Sequence, residues 1–239
     1  MPNIALLGYG KMGRLLDRLA TEAGHRVVLK ISSENAADLT PERLRRADVA
    51  IDFSHPDTGF AHVVVCLRAG VPVVSGTTGW LDRFDEAKQI CAATGGALLY
   101  ASNFSVGVNL FFALNRLLAR QMNAHPAYRP TLTETHHTAK VDAPSGTALT
   151  LAEDILAEMD RLHSWTPGTT ERPDQLPVIS HRIDPTPGTH EITYRSPEDT
   201  IRIEHVAHGR TGFARGALRA AKWLVGRRGV FTMSDMLRG

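Results

Sequence analysis

The chain has 239 residues, 43% hydrophobic and 22% charged, and its 27 Lys and Arg against 25 Asp and Glu give a formal net charge of +2. That length and apolar content suit one large or two modest domains with real cores, and the near balance of charge excludes the basic density of a nucleic-acid-binding surface. Two cysteines, Cys66 and Cys91, exclude a disulfide scaffold and a zinc cluster, and no run of about 18 apolar residues offers a membrane span. With no basic leader ahead of the first apolar run, a reduced, cytoplasmic setting is the expectation.

Residues 3–7 form a short apolar run ending at Gly8. Gly8-Tyr9-Gly10-Lys11-Met12-Gly13 follows, then a helical pattern with Leu15, Leu16, Leu19 and Ala20 on one face, closed by Gly24. Strands are expected over 26–31, 48–53, 71–75 and 97–101. A short helical piece at 41–47 has Pro41 in its first turn, and helices cover 57–69 and 81–94. Strand alternating with helix means right-handed crossovers and a parallel sheet, and the apolar, barely alternating strands fit burial on both faces. After residue 105 the pattern changes. A helix is expected at 107–123, an alternating strand at 131–135, a helix at 147–161 and a Pro-, Gly- and Thr-rich loop at 163–177. Strands follow at 177–183, 190–195 and 200–207, and then a basic-faced helix at 212–226. In the last strand Ile201, Ile203 and His205 share one face, Arg202 and Glu204 the other. The fold class is α/β: a Rossmann-type, doubly wound parallel sheet first, then an α+β part with an open sheet.

The Gly-x-Gly-x-x-Gly run follows a strand and opens a helix, which is the setting of a dinucleotide site. Its glycines let the backbone turn and approach a pyrophosphate on the helix N-terminus; the alternative is a tight turn with no ligand. About 20 residues on, where an acid reads the ribose of NAD, the chain has Lys30-Ile31-Ser32-Ser33-Glu34. Ser32 or Ser33 in the acid's place does not repel a 2′-phosphate, which favours NADPH slightly over NADH, although Glu34 is close enough to fill the ribose role. Three further strand ends carry Phe53-Ser54, Gly76-Thr77-Thr78-Gly79 and Ala101-Ser102-Asn103-Phe104. Any one is ordinary loop composition; three in register make a cofactor crevice.

Residues 134–148 read Glu-Thr-His-His-Thr-Ala-Lys-Val-Asp-Ala-Pro-Ser-Gly-Thr-Ala. Ser145 suits a helix N-cap after Pro144, yet the free N–H groups of a helix start also suit a carboxylate, with Gly146 permitting close approach and Thr147 adding a hydroxyl. In an extended stretch His136 and His137 point to opposite sides. A metal site is set aside, because no third ligand follows at a familiar spacing. Lys140 reads either as a solvated surface lysine or as a general acid held between Ala139 and Val141 with Asp142 near.

The run Glu134-x-His136-His137-x-x-Lys140-x-Asp142-Ala143-Pro144-Ser145-Gly146-Thr147-Ala148 resembles the signature of the 4-hydroxy-tetrahydrodipicolinate (dihydrodipicolinate) reductase family in every fixed position. The glycine loop, Ile51-Asp52-Phe53-Ser54, Gly76-Thr77-Thr78-Gly79, Asn103-Phe104-Ser105-Val106-Gly107 and Phe213-Ala214-Arg215-Gly216-Ala217 match as well, so the resemblance spans essentially the whole chain. It implies a dinucleotide-binding domain at 1–105 and 211–239, completed by the C-terminal helix. An inserted domain at 106–210, with an open mixed sheet, would bind substrate and build a homotetramer. It implies His136 as proton donor and acceptor, Lys140 as general acid, and His137 with Ser145, Gly146 and Thr147 on the carboxylates of a small dicarboxylate. The cofactor, NADPH or NADH, would lie against Gly8 to Gly13 (Tyr9, Gly10, Lys11 and Met12 between them), Ser32, Ser33, Phe53, Gly76, Thr77, Thr78, and Ala101 to Phe104 by way of Ser102 and Asn103. The ring loses its 4-hydroxyl as water, takes a hydride and takes a proton. Closure about residues near 105 and 211 would join the halves. Departures are the short span after the second strand, the serine in the acid's place, and Asp184 where members often carry glycine.

Two rivals keep the architecture. A semialdehyde dehydrogenase needs a nucleophilic cysteine at a strand-to-helix turn, but Cys66 and Cys91 fall mid-helix. A non-catalytic NAD(P)H-binding regulator keeps the glycine loop but has no use for His136 and Lys140 together.

Overall fold

A computed structural model describes all of residues 1–239. The chain divides into two compact units, one of Met1–Val106 with Arg210–Gly239, the other Gly107–Gly209.

In the first unit, strands β1 (Asn3–Leu7), β2 (Arg26–Ile31), β3 (Val49–Asp52), β4 (Val73–Ser75), β5 (Ala97–Tyr100) and β11 (Gly229–Phe231) form a parallel sheet in the order β11-β5-β4-β3-β1-β2. Helices α1 (Lys11–Glu22) and α7 (Thr211–Leu224) pack one face through Leu16, Leu19, Ala217 and Leu224. Helices α2 (Pro41–Leu44), α3 (Pro56–Ala69) and α4 (Phe84–Thr94) pack the other through Leu44, Val63, Cys66 and Cys91. Both cysteines are buried within those helices, and burial pushes the Cys66 thiol well above its usual range. Because β1 pairs with β2 on one side and β3 on the other, the order reverses at β1/β3, where such sheets open a ligand crevice.

In the second unit, β6 (Arg129–His136), β7 (Ser164–Pro167), β8 (Gln175–Arg182), β9 (Thr189–Arg195) and β10 (Thr200–Val206) form an open mixed sheet, β10-β9-β6-β8-β7. Helices α5 (Val106–Asn123) and α6 (Gly146–Glu158) cover one face: Phe111, Met122, Leu151 and Ile155 meet Leu132, Val178, Ile192 and Tyr194. β6 alternates buried and half-buried residues from Pro130 to His136, as period-2 patterning requires of a strand covered on one side. The expected helix at 41–47 is only Pro41–Leu44, and the expected loop at 163–177 contains β7. β11 and α8 (Met233–Arg238) lie beyond the last expected element.

Candidate active site

The glycine loop meets the sheet at its switch point. Gly8 has φ +93°, and a Cβ there would lie 2.0 Å from the Phe53 carbonyl oxygen, so only glycine lets the end of β1 pass β3. A Cβ on Gly13 would strike the Gly8 carbonyl oxygen at 2.2 Å, whereas one on Gly10 meets nothing within 4 Å. Gly10 caps α1 with no side-chain acceptor, and the first turn carries no acid. Helices α3, α4 and α8 all have an acid in that turn. The α1 N-terminus therefore keeps its N–H groups and positive end for an anion.

The neighbouring strand ends are tied together. Asp52 is fully buried and accepts bonds from Ser54 Oγ (2.7 Å) and Ser75 Oγ (3.2 Å), with His62 Nδ1 at 2.9 Å. Thr77 Oγ1 accepts the Ser54 N–H at 2.8 Å, and Gly76 leaves room for the Phe53 ring. Of the expected cofactor residues, Phe104 is turned inward: its ring is 1% exposed, edge-on to Phe53, and Gly216 of α7 presses on its carbonyl oxygen. At the ribose end, Ser32 caps the following turn, accepting from the Glu34 N–H while its own N–H goes to Asn35 Oδ1. Ser33 is exposed. Lys30 Nζ lies 2.7 Å from Asp17 Oδ2 and 5.3 Å from the Tyr9 ring centre, and the Tyr9 hydroxyl donates to the same carboxylate. Partial burial would raise the Asp17 carboxyl, but the Lys30 and Tyr9 bonds hold it below its usual range.

In the second unit, β6 delivers Glu134 and His136 to the same face, both buried, and His136 Nδ1 bonds the Glu134 carboxylate. An ionised carboxylate only accepts, so Nδ1 carries the proton and Nε2 is the basic position. Nε2 faces Gly188, where a Cβ would come within 2.9 Å. Arg182 Nη1 donates to Glu134 Oε1 at 2.9 Å. Burial works to raise the Glu134 carboxyl, but its bonds with Ser180, Arg182 and His136 keep it below its ordinary range. Burial depresses His136, Glu134 opposes that in part, and Lys140 and Arg182 add to it.

The loop after β6 turns at once: the Lys140 N–H returns to the His137 carbonyl at 3.1 Å. Asp184 clamps it, accepting from Thr138 N (3.1 Å) and Oγ1 (2.5 Å), which gives the residue found in place of glycine a use. Lys140 Nζ is gripped by both Asp142 oxygens at 2.6 and 2.8 Å, and this bond holds the Asp142 carboxyl low. Ser145 caps α6, accepting from the Ala148 N–H at 3.2 Å, and no acid occupies the first turn. The space over Gly146 is open.

Sequence reasoning missed His190 and Arg182. His190 Nε2 lies 3.0 Å from Ser145 Oγ and its ring is edge-on to His136, centres 5.2 Å apart, so it joins the start of α6 to β6. It supplies a third potential ligand that local spacing could not reveal: Glu134, His136 and His190 bring ligand atoms within 4.8 Å of one another. Those atoms are engaged with each other, with Arg182 and with Ser145, an arrangement that serves hydrogen bonding.

Burial, and then the charge of His136, push His190 down to about 4. The unfolded chain therefore binds a proton at this residue between its ordinary value near 6.5 and about 4 while the native protein does not. Stability is full above about pH 6.5 and falls as pH drops through that window, by up to about 3 kcal/mol from this group alone. Urea midpoints measured between pH 7 and pH 4 should show that slope, and His190→Gln should flatten it; an unchanged slope in the variant would assign it to other groups.

Comparison with known proteins follows the same division. The family model "Dihydrodipicolinate reductase, N-terminus" matches residues 2–104, and "Dihydrodipicolinate reductase, C-terminus" matches 107–237. A 4-hydroxy-tetrahydrodipicolinate reductase of Christiangramia forsetii is 44% identical over 236 residues, covering 98% of this chain and 97% of the relative. The enzyme of that name from Laribacter hongkongensis is 38% identical over 204 residues, 81% of this chain and 74% of its own. A solved structure of a dipicolinate-bound dihydrodipicolinate reductase from Paenisporosarcina shares the fold, with a TM-score of 0.79 over 97% of each chain at 22% identity.

Proposed function

The chain belongs to the dihydrodipicolinate reductase family, and from that premise we propose how its residues carry out the reaction. The protein reduces 4-hydroxy-tetrahydrodipicolinate to tetrahydrodipicolinate and water with a nicotinamide cofactor, a step of lysine biosynthesis through diaminopimelate. The nicotinamide, when bound, supplies the hydride. The α1 N-terminus and the Gly8 turn receive its pyrophosphate, and the Phe53, Gly76 to Thr78 and Ala101 to Asn103 ends line its path through backbone groups, with Phe104 serving as their packed floor.

The substrate half follows from the charges. One carboxylate sits on the α6 N-terminus, at the Ser145 and Thr147 hydroxyls and over Gly146, and His137 assists with the other. Lys140 exchanges Asp142 for the substrate and acts as general acid. His136, with its Nδ1 proton fixed on Glu134, exchanges a proton at Nε2. The observation that carries this reading is the buried Glu134–His136 pair immediately preceding a loop that holds Lys140 and ends in an acid-free helix cap. A homotetramer assembled through the second unit is part of the proposal, and it rests on the family resemblance.

For the cofactor we propose acceptance of both forms with a modest preference for NADPH, supported by the absence of a carboxylate at Ser32 and Ser33. Asp17 limits that preference, because it holds Lys30, the lysine at the end of β2. The test uses substrate made in situ from pyruvate and aspartate semialdehyde by the preceding synthase, followed by loss of reduced-nicotinamide absorbance. Turnover with either cofactor supports the reading; none with either, alongside cofactor binding, removes it. Ser33→Glu should lower kcat/KM for NADPH by about tenfold or more, roughly 1.4 kcal/mol of charge repulsion, and leave NADH within about twofold. An equal fall for both would show that residue 33 does not face the 2′ position.

A further inference from the structure

We propose that Arg182 is a positioning residue that fastens the His136 imidazole and the Lys140 loop into a single unit. The inference rests on the reading above in one respect, that His136 and Lys140 take part in proton transfer. The guanidinium has two sets of partners. On one side Nη1 donates to the Glu134 carboxylate (2.9 Å), which in turn holds His136 Nδ1. On the other, Nη2 donates to the Asp142 carbonyl (2.6 Å) and Nε to the Lys140 carbonyl (3.3 Å). Nη1 also reaches the His181 carbonyl at 2.7 Å, which anchors the group to its own strand. No other side chain bonds both Glu134 and the 140–142 segment in these contacts, and only a planar fork of donors spans them at once.

The register explains why the position is fixed. His136 pairs with Arg182 across β6 and β8, and Glu134 pairs with His190 across β6 and β9. Arg182 thus leaves the end of β8 and reaches over the loop that joins His136 at the end of β6 to α6. The groups that face His136 are Glu134 on its own strand, Arg182 from β8, His190 from β9 and Lys140 from the loop; His205 of β10 acts one step further out, on His190. Glu134 draws a proton onto His136, whereas Arg182 and Lys140 oppose it.

Opposite shifts therefore separate positioning from bulk stability. The experiment combines steady-state kinetics with a histidine NMR titration of the full-length protein, the His136 signal being assigned by its loss in His136→Gln. In Arg182→Met the His136 midpoint should rise and kcat should fall about 100-fold, the scale expected when reacting groups move by about 1 Å. KM should change far less. In Glu134→Gln the midpoint should fall. Arg182→Lys should restore the midpoint, because the charge returns, but not kcat, because one ammonium cannot bond Glu134 and both carbonyls. Should Arg182→Met fail to fold, the double variant E134Q/R182M leaves no unpaired buried charge; its midpoint should return toward the wild-type value with kcat still about 100-fold down. Wild-type kcat in Arg182→Lys, or in the double variant, overturns the proposal, as does a midpoint that moves the same way in Arg182→Met and Glu134→Gln. Wild-type turnover in His136→Gln would instead remove the proton-transfer reading, leaving the electrostatic coupling to be read from the titration alone.

Discussion

Lys140→Met lowers kcat by about 10² to 10⁴, the range for loss of a positioned general acid, while the dissociation constant for the reduced cofactor stays within about twofold. The expectation follows from where the loop gets its shape. Its fold is held by backbone and neighbouring groups: Arg182 on the carbonyls of residues 140 and 142, Asp184 on Thr138, and the Ser145 cap. Lys140 itself gives the loop only its bond to the exposed Asp142 carboxylate, and an exposed pair of that kind contributes little to stability. Methionine fills a similar volume without the charge, so the loop keeps its course and the site loses the proton and one cation. KM for substrate should rise as well, because the ammonium is attractive to a dicarboxylate before it gives up a proton. Kinetics paired with a fluorescence titration of the cofactor reads both quantities. A variant with full turnover would show that Lys140 is only a solvated partner of Asp142; a variant that lost the cofactor instead would place it in the other half of the reaction.

The same contrast between local and distant support explains what the sequence makes legible. The first sheet is readable because apolar strands, glycine stops and amphipathic helices alternate from residue 3 to residue 100, each a local signal. β7 is hidden because Ser164–Pro167 is half-exposed and ends in proline, and it becomes a strand by pairing in parallel with β8. β11 and α8 are too short for periodicity to speak, three and six residues long, and are fixed by pairing with β5 and by the Thr232 cap. In the site, His136, Lys140 and Ser145 share one local run with unusual chemistry. Arg182 and His190 do not: they reach Glu134 and His136 only through cross-strand register. The available signal was His190 itself, a polar residue at a buried phase of the alternating strand β9, where a hydrophobic side chain is the default. The Phe104 ring shows the complementary case. Strand-end position suggests a ligand contact, but an aromatic ring there is more valuable to the core, and α7 of the distant C-terminal segment covers it.

Gly8→Ala and Gly10→Ala, two chemically identical changes in one loop, should differ in their effect on stability and agree in weakening cofactor binding. At Gly8 the new Cβ would sit 2.0 Å from the Phe53 carbonyl oxygen and 2.5 Å from its carbon, at φ +93°. Neither partner can retreat: the Gly8 N–H is bonded to the Ile31 carbonyl at 2.9 Å, and the Phe53 N–H to the Leu7 carbonyl at 2.8 Å, so both belong to the sheet. A positive φ costs alanine about 1–2 kcal/mol and the overlap about 1–3 more, so a loss of about 3 kcal/mol or greater is expected in denaturant unfolding, with cofactor affinity falling with it. At Gly10 a Cβ meets nothing within 4 Å and φ is −83°, so Gly10→Ala should unfold within about 0.5 kcal/mol of wild type. That methyl would nevertheless stand at the cap of α1, where the pyrophosphate must approach the free N–H groups, and cofactor affinity should fall about tenfold or more. The pair of results distinguishes a dinucleotide site from a tight turn. If Gly10→Ala binds cofactor as tightly as wild type, the loop is glycine-rich only to let β1 pass β3, and the pyrophosphate lies elsewhere.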